Sequence, residues 1–168
     1  MYLAGHIGVA LLLFAPLAYV LCRTGHPGRA LGGTVTMLLL AALPDIDLYL
    51  PLAHRGPTHT VWAALCLGAV LWLVWRLSSR RPGHDAARFA SLLGVLSVLG
   101  HLLGDVLTPM GIRPFAPLVA TEYTLALVAA RHPGANLVLL AAGVLAVLPS
   151  LRRAWALSVR PDPDAAGG

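Results

Sequence analysis

Five long apolar stretches constrain this chain more than any other feature of its sequence. They lie at 7–22, 30–43, 60–77, 89–108 and 135–151, and each holds 14 to 20 residues. A helix needs about 20 apolar residues to cross a bilayer. Stretches of this length, near that limit or slightly below it, predict an all-α fold: an integral membrane bundle of about five transmembrane helices.

The low content of charged residues leads to the same class of protein. Only 11% of the 168 residues are charged, whereas a soluble domain has about 25%. We therefore expect one membrane-embedded domain over 1–155, surrounded by lipid bilayer, and a disordered C-terminal tail over 156–168. All twelve basic residues are arginine, and they form no basic patch with interleaved aromatic residues, so no nucleic-acid partner is expected.

The positions of the arginines predict an orientation. Nine of them lie between the first and second stretches, between the third and fourth, or after the fifth, whereas Arg55, Arg113 and Arg131 lie on the other side. Arginine-rich loops remain in the cytoplasm. The sequence thus predicts a multi-pass protein of the plasma membrane with its N-terminus outside and its C-terminus in the cytoplasm.

A sixth stretch, 115–130, is less regular. Pro117, Glu122 and Tyr123 interrupt it, so it is either a re-entrant or interfacial element or a poor sixth span. A sixth span would place the C-terminal arginines outside, against the distribution just described.

Polar residues that are costly in hydrocarbon are predicted to meet at the outer ends of the helices. They come from four separate parts of the chain: His6, Asp45, Asp47, His54, Arg55, His59, His101 and Asp105. A random distribution would have placed some of them at the inner ends. We therefore expect one polar site on the outer side of the membrane.

The local spacings in this set favour ligands of a metal ion. His101 and Asp105 are four residues apart and so share a helix face. Asp45 and Asp47 would diverge on a straight helix, but a kink or unwinding after Pro44 brings both toward one centre.

The HRGPTH turn adds a histidine at the start of the third span. Thr58 is a good N-cap for that span, and His59 would then lie at a helix N-terminus, where the dipole opposes its protonation. A neutral imidazole is the form that binds metal. Imidazole and carboxylate donors without cysteine suit Zn²⁺ first, with Mn²⁺, Fe²⁺ or Mg²⁺ as alternatives, and the number of donors allows one or two ions.

Several motifs together resemble a known family. LPDID (Leu43–Asp47), HRGPTH (His54–His59) and GHLLGDVLTPMG (Gly100–Gly111), preceded by an early His6, are similar to the YdjM-like family of membrane proteins described as metal-dependent hydrolases. The resemblance covers residues 1 to about 118. It implies a hydrolase whose substrate is open.

These observations lead to a hypothesis for the site. His6, Asp45, His59, His101 and Asp105 would hold the metal, Asp47 or His54 would take or relay a proton, and Arg55 would steady an anionic substrate. The substrate would be a phosphoester or a lipid-linked molecule at the outer membrane face. The alternative is a non-enzymatic protein: a membrane scaffold stapled by metal, or a partner-binding protein.

Overall fold

The computed structural model describes residues 1–78 and 83–159, and their long elements are five α-helices. The helices are α1 (Leu3–Arg23), α2 (Pro27–Leu40), α3 (Val61–Ser78), α4 (His84–Val106) and α5 (Pro133–Ser158). Within these described ranges, five segments are long and apolar enough to cross a membrane, the second being α2 together with the 3-10 helix that follows it. The predicted all-α membrane bundle is confirmed.

The second span differs from a single continuous helix. Its α-helical part ends at Leu40, and a 3-10 helix, Leu43–Tyr49, carries the chain through both aspartates. Pro44 has no amide hydrogen, so it fits the first turn of a new helix and not the interior of an old one. The α-helix therefore ends before Pro44, whereas the sequence predicted a kink or unwinding after Pro44.

Helix α1 lies at the centre of the bundle. It packs against α2, α4 and α5, and most of its residues are buried. Phe14 of α1 and Met37 of α2 are the largest fully buried apolar side chains. Gly8 of α1 and Gly143 of α5 let these two backbones approach closely, because a Cβ atom on Gly143 would collide with the carbonyl oxygen of Gly8. Small residues serve the same purpose in other membrane helix pairs.

Helix α3 lies at the edge of the bundle and packs mainly against α4. The contact is close because Gly68 faces Gly94: a Cβ atom on Gly94 would lie 3.2 Å from the amide nitrogen of Gly68. Most of the remaining surface of α3 is exposed, including Trp62, Trp72 and Trp75. In a membrane these side chains face lipid.

The segment between α4 and α5 contains no long helix, so it is not a sixth span. Ile112 and Tyr123 form an isolated antiparallel bridge, with N–O distances of 3.0 and 2.8 Å. Leu125 and Leu127 then donate to the carbonyl oxygens of Val106 and Leu107. Because the last carbonyls of a helix have no partner within it, this segment is held against the end of α4.

The C-terminal helix continues beyond the predicted domain boundary. α5 ends at Ser158, three residues into the segment expected to be a disordered tail. The rest of that expectation, residues 160–168, lies outside the described residues.

Candidate metal centre

Four chain segments bring the predicted site residues together at one end of the bundle. α1 begins there, α2 ends there, α3 begins there and α4 ends there. The short 3-10 helix Pro57–His59 precedes α3 and adds its own side chains. The eight predicted residues, from His6 to Asp105, all lie in this region.

His59 lies between the two aspartates of the first 3-10 helix. Its Nδ1 atom is 3.2 Å from Oδ2 of Asp47, and its Nε2 atom is 3.4 Å from Oδ1 of Asp45. Asp47 is buried and also accepts hydrogen bonds from the Thr58 hydroxyl and the Arg55 amide, both at 3.0 Å. Asp47 therefore holds Nδ1 of His59 in place, and Nε2 of His59 faces the centre of the cluster.

The hydroxyl that caps α3 is that of Thr60 and not that of Thr58. Thr60 Oγ1 accepts a hydrogen bond from the Ala63 amide at 3.2 Å, whereas Thr58 donates to Asp47. The prediction that Thr58 caps this helix is therefore wrong. Its hydroxyl is used to hold the carboxylate.

His101 is fixed from α2. Its Nδ1 atom lies 2.8 Å from the carbonyl oxygen of Ala41, and its Nε2 atom lies 3.1 Å from Nε2 of His59. The same Nε2 atom is 3.4 Å from Asp45 and 3.5 Å from Asp105. A histidine that uses one ring nitrogen on a carbonyl presents the other for metal binding in many metal sites.

His6 lies flat on His101. The two rings are stacked, with centroids 3.6 Å apart and planes 7° apart. The Nε2 atom of His6 is 3.6 Å from Asp105 and 3.8 Å from Asp45. Although His6 is fully buried, neither of its ring nitrogens has a hydrogen-bond partner among the described residues.

Asp105 divides its two oxygens between different neighbours. Oδ1 accepts from the guanidinium of Arg55 at 2.7 Å and from the amino group of Met1 at 2.8 Å. Oδ2 is buried without a hydrogen-bond partner in the described chain, 3.4 Å from His59 and 3.5 Å from His101. One oxygen is thus anchored while the other is directed into the cluster.

Arg55 lies beneath the surface and contacts protein groups. Its φ angle is +60°, a left-handed conformation that is unusual outside glycine. This conformation lets its amide reach Asp47 while its guanidinium reaches Thr108, the carbonyl of Gly111 and Asp105. Backbone strain of this kind is common at functional sites.

The donors fit a divalent metal ion. Two groups of three side chains each have one ligand atom within 4.8 Å of the others: His6, His101 and Asp105, and next to them Asp45, His54 and His59. Buried imidazole nitrogens and a carboxylate oxygen without partners are what a bound cation would satisfy. The arrangement allows one or two ions, and it adds His54 to the set of possible ligands.

The electrostatics of His59 show the need for positive charge in this cluster. Burial lowers the pKa of His59, but the carboxylates of Asp105 and Asp45, each 3.4 Å from its Nε2 atom, outweigh burial and hold that pKa above its usual value. This is opposite to the effect expected from a helix N-terminus. A proton on His59 and a divalent cation among the carboxylates are two ways of balancing the same negative charge.

Two supporting residues were given no role from the sequence. Gly104 leaves space for the ring of His6, because a Cβ atom there would lie 3.0 Å from Nδ1 of His6. Asn136 of α5 is buried and accepts from the Tyr2 amide at 3.1 Å, while its side-chain amide donates to two carbonyls before α5. Asn136 thereby holds the start of α1, and with it His6.

Three further histidines lie outside the cluster. His26 and His84 are at the opposite end of the bundle, at the start of α2 and of α4. His132 caps α5, where it accepts a hydrogen bond from the Ala135 amide at 3.1 Å.

Comparison with known proteins gives one result. No curated protein and no solved structure matches the chain. The model of one family, described as YdjM inner membrane protein, matches residues 1–160, which is nearly the whole sequence and includes every residue of the cluster. The chain belongs to the YdjM inner membrane protein family.

Proposed function

We propose that this protein is a metal-dependent hydrolase that acts on a phosphoester or lipid-linked substrate at the outer face of the membrane. The observation that carries the proposal is the group of buried donors that lack partners within the described chain. Both ring nitrogens of His6 and Oδ2 of Asp105 are among them, and the Nε2 atoms of His59 and His101 lie beside them. Such donors are costly to bury unless a cation satisfies them.

A divalent ion bound here would supply Lewis acidity and activate water for attack on an ester. The ligands in this proposal are His6, Asp45, His59, His101 and Asp105. Zn²⁺ is the preferred ion, and Mn²⁺, Fe²⁺ or Mg²⁺ are alternatives for this donor set.

Asp47 and His54 would handle protons. Oδ1 of Asp47 lies 3.0 Å from Nδ1 of His54, and the side chain of His54 is 36% exposed. Oδ2 of Asp47 faces His59. His59, Asp47 and His54 thus form a continuous path from the cluster to solvent. Such a path suits removal or delivery of a proton.

Arg55 is better placed to position Asp105 than to bind substrate. The side chain is 7% exposed, and both terminal nitrogens donate to protein oxygens. By occupying Oδ1 of Asp105, it leaves Oδ2 as the oxygen available to a metal. We therefore propose Arg55 as a positioning residue, although the sequence alone suggested that it would hold a substrate anion.

The test is metal content and hydrolysis measured on the same preparations. Protein purified in detergent should contain one or two equivalents of a divalent metal by elemental analysis. It should hydrolyse p-nitrophenyl phosphate or a fluorogenic phospholipid, lose that activity after dialysis against a chelator, and recover it with one of the four metals. Protein that binds metal stoichiometrically but hydrolyses neither substrate with any of these ions would refute the proposal.

A second candidate function is supported by the burial of the cluster. Four of the five proposed ligands, His6, His59, His101 and Asp105, are at most 1% exposed and come from three different segments. A closed shell of this kind is typical of structural metals. The ion would then hold these segments together in a non-enzymatic scaffold that binds a partner. Metal removal would then lower the melting temperature strongly in a protein that has no hydrolytic activity to lose.

A further inference from the structure

Asp45 is the most exposed of the five proposed ligands. Its side chain is 22% exposed, whereas those of the other four are at most 1% exposed. Its carboxylate also touches both inner histidines, at 3.4 Å from Nε2 of His59 and of His101. A molecule that approaches Asp45 from outside therefore comes next to the centre of the cluster.

An apolar cavity of about 410 Å³ opens at Asp45. Asp45 is the one charged residue among those that line it, and Leu3, Leu39, Leu48 and Tyr49 form much of its wall. These four side chains are 56%, 76%, 60% and 88% exposed. They belong to α1 and to the span Pro27–Tyr49, both apolar enough to cross a membrane, so the cavity opens toward lipid.

The opposite approach to the cluster is closed by Arg55. A second cavity of about 410 Å³ has both charged and apolar residues in its wall, among them His54, Arg113 and Glu122, and Arg55 also lines it. The guanidinium of Arg55 lies between this cavity and the metal ligands, where it is bonded to Thr108, Gly111 and Asp105. A water-soluble substrate in this cavity would have to break that set of bonds to reach the ligands.

From this asymmetry we infer that the substrate is a membrane phospholipid-type amphiphile that reaches the cluster laterally, through the apolar cavity at Asp45. Its acyl chain lies against Leu39 and Leu48, and its ester group lies at the carboxylate of Asp45. The cavity over Arg55 serves water and protons. This inference rests on the proposed hydrolytic function, because it assigns the substrate of the same site.

The experiment compares substitutions that narrow the cavity at Asp45 with a substitution that narrows the cavity over Arg55. Leu39→Trp and Ala42→Trp narrow the cavity at Asp45, and Ala53→Trp narrows the cavity over Arg55; none of these residues is a proposed ligand or proton carrier. The probe is a fluorescent phosphatidylglycerol in dodecyl maltoside micelles, and its binding is measured by fluorescence anisotropy. Metal content and melting temperature of each variant show that it is folded.

Binding of the probe should weaken about tenfold or more in Leu39→Trp and Ala42→Trp, since loss of contact with two methylenes already has that effect. Ala53→Trp should bind the probe like the wild type. In hydrolysis assays, the same two variants should lose activity toward the micellar lipid. Unchanged lipid binding in both folded variants, or a loss in Ala53→Trp instead, would overturn the inference.

The inference and the proposed function fail in different ways. If p-nitrophenyl phosphate is hydrolysed and neither Leu39→Trp nor Ala42→Trp changes lipid binding, the lateral approach is wrong and the hydrolase stands. If both variants weaken lipid binding but no ester is hydrolysed with any metal, the lipid site stands and the hydrolase is wrong.

Discussion

The Nδ1 atom of His101 lies 2.8 Å from the carbonyl oxygen of Ala41, at the point where α2 ends. A carbonyl oxygen can only accept, so Nδ1 carries a hydrogen, and in the neutral ring that binds metal Nε2 then carries the lone pair. Nε2 is the atom that faces Asp45 and Asp105. The end of one helix therefore sets the tautomer of a histidine on another, and this prepares His101 to bind a cation.

Removal of His101 or Asp105 should abolish metal binding. His101→Ala and Asp105→Ala each remove a donor that is buried in the centre of the cluster. Elemental analysis of the purified proteins should find metal in the wild type and little in either variant. His26→Ala and His84→Ala are the controls, because both residues lie at the other end of the bundle. Equal loss of metal in all four variants would indicate non-specific binding by histidines.

A methyl group at Gly104 should weaken metal binding without removing a ligand. The Cβ atom of Gly104→Ala would lie 3.0 Å from Nδ1 of His6, so the imidazole must move. We expect an affinity loss of about 10–100-fold, as for other changes that disturb the orientation of a ligand. Competition with a fluorescent chelator measures it.

Gly32→Ala is the matched control for Gly104→Ala. A Cβ atom at Gly32 meets no atom within 4 Å, and alanine also favours the helix. Metal affinity should be unchanged in this variant. If Gly104→Ala bound metal as tightly as Gly32→Ala, His6 would not be a ligand.

The sequence was sufficient to predict the number of helices and the end at which the polar residues meet. The lengths of the apolar stretches, and the positions of residues such as His6 and Asp105 at their ends, can be read directly along the chain, and such a reading is reliable for long spans. Family membership followed from the HRGPTH and LPDID motifs and is confirmed by the family model. The number of helices, the positions of the polar residues and the family motifs can all be read from short segments of the sequence.

The supporting contacts could not be predicted, because they join residues far apart in the chain. The carbonyl of Ala41 and the ring of His101 are 60 residues apart. Every residue has a backbone carbonyl, so the sequence does not show which one accepts a hydrogen bond from a histidine. Arg55 was expected to face a substrate, but its left-handed backbone turns the guanidinium onto Asp105. The space at Gly104 depends on the packing of α1 against α4. A glycine that directly follows two leucines in a helix gives little sign of such a role.

Neutralising Asp47 should reduce metal affinity although Asp47 is not a proposed ligand. Asp47→Asn keeps the size of the side chain but removes the charge that faces Nδ1 of His59 at 3.2 Å. We expect about a 10–100-fold loss of affinity, as for other carboxylates that orient a metal-binding histidine. Asp85→Asn, at an exposed position on α4, is the control. Full affinity in Asp47→Asn would show that the orientation of His59 does not depend on this carboxylate.

Cysteine labelling tests the orientation in the membrane. In a Cys66→Ser background, Glu122→Cys should react with a membrane-impermeant maleimide in intact cells, and Asp85→Cys should react only after the membrane is permeabilised. Both positions are exposed, and they lie at opposite ends of α4 or beyond it. The remaining Cys22 is buried. The reverse labelling pattern would place the cluster on the cytoplasmic side.

Replacement of Arg55 by lysine distinguishes a positioning role from a substrate-binding role. Lysine keeps the charge, but one ammonium group cannot reproduce the fork that reaches Thr108, the carbonyl of Gly111 and Asp105. The buried oxygens left without a donor should lower the free energy of unfolding by roughly 1–3 kcal/mol. Metal content should fall as well, because Asp105 loses one of the groups that hold its Oδ1.

Arg113→Lys is the control for this change, since Arg113 is exposed and pairs with Glu122 at 3.4 Å on the surface, where such pairs contribute little. Its melting temperature and metal content should match the wild type. The role inferred from the sequence alone predicts another result for Arg55→Lys: normal stability, normal metal content and slow turnover. That result would mean that the guanidinium leaves Asp105 when substrate binds, and it would support a substrate-binding role for Arg55.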